Sequence, residues 1–345
     1  MDIKAAIRHL TQGQDIGTPD MVTFMREIMS GHATDAQIAA FLVALQMKGI
    51  RAPELLGAVT VMRELVTRVD IPDKKHLVDT CGTGGSGTDT FNISTAAAMV
   101  AACAGARVAK HGNRGATSKS GSADLLEAAG VKLDIGPEGV ARCVATVGVG
   151  FMFAPGHHSA MKHVGGPRRE IGVRTIFNLL GPLTNPASAP NQVLGVFSAD
   201  WIDVMLQVLK ALSSEHVLLV SSDEGLDEIS ISADTRVGEL KNGSITHYTI
   251  KPEDFGIRRR DGYAMLQIGS AQESLAMVRR ALASKNNGGE DEAAADIVAL
   301  NAGAAIYAAN LVNDIGSGVS RAQAILRSGA ALKKLEELAA FSSGL

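Results

Sequence analysis

Apolar side chains recur at helical spacing through the first 67 residues, and the pattern changes after residue 75. The segment Thr34–Gln37 has the sequence of an N-terminal capping box, and four apolar residues follow it on one helical face. Thr18, followed by proline, predicts the N-cap of another helix, and Gly49 predicts a helix end. We therefore expect four helices in residues 1–67, forming a small all-α domain over residues 1–70.

Short apolar runs that are typical of strands alternate with helical patterns from residue 75 onwards. Strands are predicted at 76–79, 106–110, 149–154, 193–197 and 216–221, and helices at 93–104, 121–129, 137–147 and within 271–342. Lys241-Asn242-Gly243 predicts a hairpin turn. This order predicts an α/β domain over residues 74–345, with a central, mostly parallel sheet flanked by helices. We expect the segment near 160–185 to pack back on the helical domain.

A glycine-rich stretch, DTCGTGGSGTDTFNIST at residues 79–95, joins a predicted strand to a predicted helix. Glycine allows positive φ and lets a ligand approach the main chain closely. The first N–H groups of a helix lack partners and stand at the positive end of its dipole, so anions bind there. The stretch therefore indicates a phosphate site. A tight turn without a ligand is the alternative, and the glycine cluster alone does not decide between them.

A second polar stretch, ARVAKHGNRGATSKSGS at residues 106–122, follows the next predicted strand. It brings Lys110, Asn113 and Arg114 into a loop, with several serines before the next helix. Positive charge, hydroxyl donors and glycines together are what a polyphosphate requires. The alternative is a surface turn that is basic by chance.

Two further segments carry polar side chains of functional types. His157, His158 and His163 suggest a metal site, but no cysteine or glutamate stands at zinc spacing beside them, so other roles are favoured. Arg168 and Arg169 could be solvated, whereas a buried arginine would suit a carboxylate, which its planar fork binds through two hydrogen bonds.

The acidic segment DEGLDE at residues 223–228 follows an apolar strand. Carboxylates beyond a strand, near a phosphate loop, are natural ligands of Mg²⁺, which proteins usually hold through one or two carboxylates together with substrate phosphates. A solvated acidic loop is the alternative.

Composition indicates an ordinary soluble globular protein, with 46% hydrophobic and 20% charged residues and a net charge of −3. Aromatic residues make up only 4%, which argues against nucleic-acid binding. No apolar run approaches the length that spans a bilayer, and the N-terminus does not begin a secretory signal. Three scattered cysteines form neither a disulfide framework nor a zinc motif, so we expect a cytoplasmic protein.

Four segments together resemble the anthranilate phosphoribosyltransferase family. They are GTGGSGTDTFNIST, KHGNRGATSKSGSADLLEAAGV, RREIGVRTIFNLLGPLTNPA and EGLDE, in the family's order and with similar spacing. The glycine loop is shared with the related pyrimidine nucleoside phosphorylases, whereas the KHGN loop and LLGPLTNPA are more specific. The resemblance implies a homodimer formed through the helical domain. It also implies two Mg²⁺ per monomer and transfer of phosphoribose from phosphoribosyl pyrophosphate (PRPP) to anthranilate in tryptophan biosynthesis.

The resemblance also implies roles for individual residues. For PRPP these are Gly82, Gly85, Ser86, Thr90, Asn92, Ile93, Ser94, Thr95, Lys110, His111, Gly112, Asn113, Arg114, Gly115, Ala116, Thr117, Ser118 and Ser122. They are Gly82, Asn113 and Arg168 for anthranilate, Ser94, Asp227 and Glu228 for Mg²⁺, and Lys110, Asn113 and Arg168 for catalysis. Ser86 departs from the family, which commonly has aspartate there (GTGGD), so any metal-handling role of that carboxylate is lost here.

Three other functions are compatible with a phosphate site. A nucleoside phosphorylase of the same architecture is disfavoured by the KHGN loop and Arg168, because a nucleobase offers no carboxylate to bind. A non-catalytic phosphosugar-binding protein is disfavoured by Asp227 and Glu228. A dinucleotide-binding oxidoreductase is disfavoured because no acidic residue follows a second strand at the distance that a ribose contact requires.

Overall fold

The computed structural model describes residues 1–84, 87–115, 118–283 and 289–345. Its N-terminal part consists of four helices, α1 (Ile3–Thr11), α2 (Thr18–Met29), α3 (Asp35–Lys48) and α4 (Ala52–Leu65). The predicted capping box is confirmed: Gln37 N–H donates to Thr34 Oγ1, and Thr34 N–H donates to the Gln37 side chain. Gly49 ends α3 with a φ of 91°, as predicted.

The prediction that Thr18 is an N-cap is wrong by one residue. Gly17 occupies the N-cap position, and Thr18 is the first residue of α2. The Thr18 hydroxyl donates to the carbonyl oxygen of Pro53 at 2.9 Å, so it binds the neighbouring helix instead of capping its own.

Seven strands form one sheet within the described residues. They are β1 (Leu77–Gly82), β2 (Arg107–Gly112), β3 (Val149–Phe153), β4 (Asn191–Gly195), β5 (His216–Ser222), β6 (Thr235–Lys241) and β7 (Ser244–Ile250). Their order in the sheet is β3-β2-β1-β4-β5-β6-β7. Neighbouring strands among β1–β5 are parallel, whereas β6 pairs antiparallel with both β5 and β7. The predicted fold class, a helical segment followed by an α/β domain with a mostly parallel sheet, is therefore confirmed.

The predicted hairpin joins β6 to β7. Asn242 and Gly243 have φ values of 51° and 76°, the left-handed conformations that a two-residue type I′ turn requires.

Helices cover both faces of the sheet. They are α5 (Ile93–Cys103), α6 (Ser122–Ala128), α7 (Gly136–Val147), α8 (Ala154–His157), α9 (Gly165–Ile171), α10 (Phe177–Leu183), α11 (Trp201–Ala211), α12 (Ala271–Ala283), α13 (Gly289–Ala308), α14 (Ile315–Ser328) and α15 (Ala330–Ser343), with 3-10 turns at Ser159–His163, Pro252–Phe255 and Ala264–Leu266. No helix in the described ranges combines the length and the apolar surface that a bilayer crossing needs.

Two large apolar cores lie on opposite faces of the sheet. Along β5, Leu218 and Val220 enter the core around α5 and α12–α15, whereas Val217 and Leu219 enter the core shared with the N-terminal helices. The second core also includes residues of α10 and α11. The domain boundary near residue 70 stays a prediction, because residues on both sides of it contribute to this one core.

The sheet reverses its order of strands between β1 and β4. β2 and β3 lie on one side of β1, and β4 and β5 lie on the other. In open α/β sheets, ligands bind in the crevice beyond the carboxyl ends of the strands at such a switch point. The glycine-rich stretch leaves the sheet at the carboxyl end of β1 and therefore lies at this crevice.

Candidate functional site

A cavity of about 400 Å³ occupies the crevice beyond β1 and β4. The predicted residues that line it are Gly82, Thr90, Asn92, Ile93, Ser94, Lys110, His111, Gly112, Asn113, Arg114, Gly115, Ser118, Ser122, Asp227 and Glu228. Thr95 is buried beneath it and does not line it. The predicted residues Gly85, Ser86, Ala116 and Thr117 lie outside the described residues.

Two glycines allow the acidic segment to approach the strand ends. A Cβ on Gly195 would lie 1.7 Å from the carbonyl oxygen of Asp227, and one on Gly82 would lie 2.8 Å from Asp227 Oδ2. Gly82 and Gly195 are paired neighbours in the sheet. Any larger residue at Gly195 would push the carboxylates away from the cavity.

Lys110, Ser94 and Glu228 form a connected polar group at the base of the cavity. The buried Lys110 ammonium donates to the Thr80 carbonyl oxygen and, at 3.1 Å, to Ser94 Oγ. The Ser94 N–H, in the first turn of α5, donates to Glu228 Oε1 at 3.1 Å. The strand end, the helix start and the acidic segment are thereby held together.

The electrostatics at Glu228 favour a nearby cation. Burial and the adjacent charge of Asp227 raise the pKa of Glu228 to about 8, although the Lys110 charge opposes the shift. Two carboxylates and a hydroxyl are hard oxygen ligands of the kind that Mg²⁺ prefers. Within the described part of the chain, no three His, Cys, Asp or Glu side chains group as a metal site. Substrate oxygens and water would therefore complete the coordination of an ion here.

Asp79, which the sequence analysis did not single out, fixes the end of β2. Its buried carboxylate accepts from His111 N–H at 3.1 Å and from Asn185 Nδ2 at 2.7 Å. The only sequence signal was a polar residue closing an apolar run. This carboxylate sets the direction in which the chain leaves β2 towards Asn113.

The Asn92 side chain is engaged within the protein. Its Oδ1 accepts from Ser120 Oγ at 2.8 Å and from Ser274 Oγ at 2.7 Å, and its Nδ2 donates to the Ser120 carbonyl oxygen. Asn92 therefore ties the start of α5 to the loop after β2 and to α12.

The Arg114 guanidinium is ion-paired at the opposite rim. Its nitrogen atoms lie 3.0 Å from Asp124 and 2.8 Å from Glu127, and the group lies over the Phe153 ring. A phosphate at Arg114 would compete with these two carboxylates.

A second cavity, of about 480 Å³, adjoins the first. It is lined by Met62, His111, Asn113, Ala154, Pro155, His158, Ser159, Met161, Lys162, Arg168, Phe177, Leu180, Gly181 and Thr184. His111 and Asn113 line both cavities. Gly82, which was predicted for both substrates, lines the first cavity and not the second.

Arg168 and two histidines give the second cavity its chemistry. The Arg168 guanidinium carbon lies 5.2 Å from the centre of the Phe177 ring, and burial lowers the pKa of the side chain. The rings of His111 and His158 are 5.0 Å apart. Burial, followed by the neighbouring histidines, lowers the pKa of His111 to about 3 and that of His158 to about 4, so both are neutral near pH 7.

Several lining residues escaped the sequence analysis. Arg174 and Asn178 line the first cavity, and Met62 and His158 line the second. His158 was noted only as a possible metal ligand. Arg174 and Asn178 stood inside the segment that carries the family resemblance, but nothing in their spacing set them apart. Met62 lies in a helix whose sequence shows only core periodicity.

Comparison with known proteins identifies relatives over the whole chain. Residues 4–66 match the family model described as "Glycosyl transferase family, helical bundle domain", and residues 74–332 match "Glycosyl transferase family, a/b domain". The chain is 55% identical over 345 residues to the anthranilate phosphoribosyltransferase of Cellvibrio japonicus (strain Ueda107), with 100% of both chains covered.

Solved structures share the fold. The crystal structure of anthranilate phosphoribosyltransferase from Thermus thermophilus matches with a TM-score of 0.90 and 41% identity, over 98% of this chain and 99% of that one. The Saccharomyces cerevisiae enzyme in complex with PRPP and Mg matches with a TM-score of 0.89 and 24% identity, over 99% and 98% of the two chains.

Proposed function

The chain belongs to the anthranilate phosphoribosyltransferase family, and on this premise we propose that it transfers the phosphoribosyl group of PRPP to the amino group of anthranilate. The products are N-(5-phosphoribosyl)anthranilate and pyrophosphate, in the biosynthesis of tryptophan.

One observation carries this proposal: two cavities of different chemistry meet at His111 and Asn113. The first has backbone N–H groups at a helix start, a lysine and two carboxylates, which suit a metal–pyrophosphate group. The second has apolar walls and Arg168, which suit a flat aromatic acid. A donor in the first cavity and an acceptor in the second would place the sugar carbon and the amine near the shared residues.

The bond from C1 to the pyrophosphate oxygen breaks as the amine nitrogen bonds to C1, and the nitrogen then loses one proton to water. Negative charge grows on the leaving pyrophosphate, and the Lys110–Ser94 group and the N-terminus of α5 stabilise it. We infer that Ser94, Asp227 and Glu228 would hold Mg²⁺, with two ions per subunit. When bound, these ions would supply further positive charge beside the leaving group.

The acceptor needs no strong general base, because an aromatic amine is already neutral at pH 7. The neutral imidazoles of His111 and His158 add no positive charge beside a ribosyl centre that becomes cationic. Arg168 would bind the carboxylate of anthranilate and so orient the amine.

The decisive experiment mixes the purified protein with Mg²⁺, PRPP and anthranilate and follows the loss of anthranilate fluorescence. We expect the loss to depend on PRPP and to release one pyrophosphate per anthranilate consumed. Fluorescence that does not change would refute the proposed function.

The metal assignment has its own test. Asp227→Asn combined with Glu228→Gln keeps the shape of the acidic segment and removes its charge. Activity should collapse and should not return at moderate Mg²⁺ concentrations. A double variant with the Mg²⁺ titration of the wild type would show that these side chains do not hold the ion.

We also propose that the protein is a cytoplasmic homodimer that associates through its N-terminal helices. Met47 on α3 and Leu65 on α4 are 83% and 44% exposed, and such a contact between subunits would cover apolar side chains of these helices. The thiols of Cys81, Cys103 and Cys143 are unpaired, as in a reducing compartment. Sedimentation equilibrium measures the mass directly, and a monomer would contradict the assembly.

A further inference from the structure

Arg174 is a cationic residue of the first cavity that no assignment above includes. Gly172 caps the C-terminus of helix α9, and its φ of 67° turns the chain out of the helix. Arg168, on α9, lines the second cavity, whereas Arg174, beyond the turn, is exposed and lines the first. One short segment therefore supplies an arginine to each cavity.

Two aromatic rings in edge-on contact support Arg174. Its guanidinium carbon lies 4.2 Å from the centre of the Phe197 ring, and Phe197 packs edge-on against Trp201 at 6.3 Å. The Phe197 N–H donates to Thr83 Oγ1 at 3.1 Å, and Thr83 N–H donates to the Gly195 carbonyl oxygen at 2.9 Å. Phe197 is thus fixed to the start of the glycine-rich loop.

The contact with Phe197 restrains the guanidinium at the wall of the first cavity. All five N–H donors of an arginine lie in one plane, and this planar fork can bind two phosphate oxygens at once.

The position of Arg174 relates it to one part of the substrate. Phe197 follows β4, the strand whose end contacts Asp227. Arg114 lies instead on the side of the loop after β2, paired with Asp124 and Glu127. Within the described residues, the lysines and arginines that line this cavity are Lys110, Arg114 and Arg174. Lys110 is buried and Arg114 lies on the other side, so Arg174 is the exposed cationic residue on the side of the acidic segment.

We propose that Arg174 binds the pyrophosphate group of PRPP and of the released product, an inference that rests on the proposed function. The pyrophosphate is expected beside the metal carboxylates, where a pyrophosphate–Mg²⁺ complex still carries negative charge. Arg174 is assigned no contact with the 5-phosphate of the ribose, so ribose 5-phosphate serves as the comparison probe.

The test uses titration calorimetry on the full-length protein with two probes, pyrophosphate with Mg²⁺ and ribose 5-phosphate. For Arg174→Ala we expect pyrophosphate to bind roughly 10- to 100-fold more weakly, as for loss of a charge-assisted hydrogen bond. Binding of ribose 5-phosphate should not change. Arg174→Lys keeps the charge without the planar fork and should recover part of the affinity.

Arg169→Ala is the matched control, because Arg169 is an exposed arginine of the same segment that lines neither cavity. In steady-state kinetics, Arg174→Ala should raise KM for PRPP and leave KM for anthranilate unchanged. Unchanged pyrophosphate affinity in Arg174→Ala, or a loss confined to ribose 5-phosphate, overturns the inference. Calorimetry needs no turnover, so a wild-type protein inactive with anthranilate would refute the proposed function separately.

Discussion

At the scale of single residues, Lys110 has a less direct role than its sequence position suggests. The sequence predicts a phosphate contact, yet the ammonium is buried and donates to Thr80 and to Ser94 Oγ. Because Ser94 also donates to Glu228, removing the ammonium disturbs both the helix start and the acidic segment.

Lys110→Ala should therefore weaken PRPP binding or turnover by about 1.5–3 kcal/mol, measured as kcat/KM. Lys110→Met keeps most of the apolar stem and should show a similar loss, which separates the charge from the packing. Unchanged kinetics in a folded variant would remove Lys110 from the site.

Arg168 and Arg169 are neighbours with different surroundings. Arg168 is half-buried beside Phe177 in the second cavity, whereas Arg169 is exposed, about 100° further round the helix. Arg168→Ala should raise KM for anthranilate much more than KM for PRPP, because the carboxylate of anthranilate is the only full charge available for its recognition. Saturation curves for each substrate test this. An anthranilate defect in Arg169→Ala in place of Arg168→Ala would show that the wrong residue is assigned.

The buried histidines predict a pH dependence of stability. The pKa of His158 is about 4 in the folded protein and about 6.5 in an unfolded chain, so the unfolded state binds the proton first as the pH falls. Its contribution to the free energy of unfolding is complete above about pH 6.5 and is lost towards pH 4. Urea midpoints of the wild type should fall over this window more steeply than those of His158→Gln. Parallel curves would contradict the shift.

At the scale of elements, the apolar runs predict the positions of the parallel strands, with boundaries that differ from the observed ones by up to three residues. β4 was expected from residue 193, but it begins at Asn191. Asn191 Nδ2 donates to the Leu77 carbonyl oxygen and Gln192 Nε2 to that of Pro182. These two amide groups donate to carbonyl oxygens that lie 10 or more residues away in the sequence, which hydropathy cannot reveal.

Glu54 holds the start of α4 against two other segments. Its buried carboxylate accepts from Lys48 Nζ at 2.9 Å, from Ile16 N–H at 2.9 Å and from Arg51 N–H at 2.8 Å. Glu54→Gln should lower the free energy of unfolding by roughly 3 kcal/mol, because it leaves buried Lys48 paired only with Asp15.

Glu64→Gln is the control, since Glu64 pairs with Arg26 at the surface and should contribute less than about 1 kcal/mol. Urea unfolding of both variants measures the difference. Equal losses would show that the burial of Glu54 is unimportant.

At the scale of the whole molecule, the two cavities differ in how far the sequence predicts them. The first is built mainly from contiguous loops at strand ends, where glycines and a helix start mark an anion site directly. The second combines Met62 of α4 with residues of β2, α8, α9 and α10. Its composition depends on how the N-terminal helices pack on the α/β part, and no local pattern encodes that packing.

Arg63 joins these two parts of the second cavity. Its Nε donates to the Leu183 carbonyl oxygen at 2.8 Å, beside Met62 and Thr184, which both line the cavity. Burial lowers the pKa of Arg63 to about 10, so the side chain stays charged at pH 7. Arg63→Ala should loosen α4 from the end of α10 and raise KM for anthranilate roughly 3- to 10-fold, the effect of losing one such hydrogen bond.

Pyrophosphate affinity should not change in Arg63→Ala, because α4 contributes nothing to the first cavity within the described residues. Arg26→Ala is the matched control: it removes an arginine that joins α2 to α4 inside the helical segment, far from the α10 contact. Steady-state kinetics on both variants separate the two kinds of contact. An equal rise in KM for anthranilate in Arg26→Ala would mean that the stability of the helical segment, and not its link to α10, shapes the acceptor cavity.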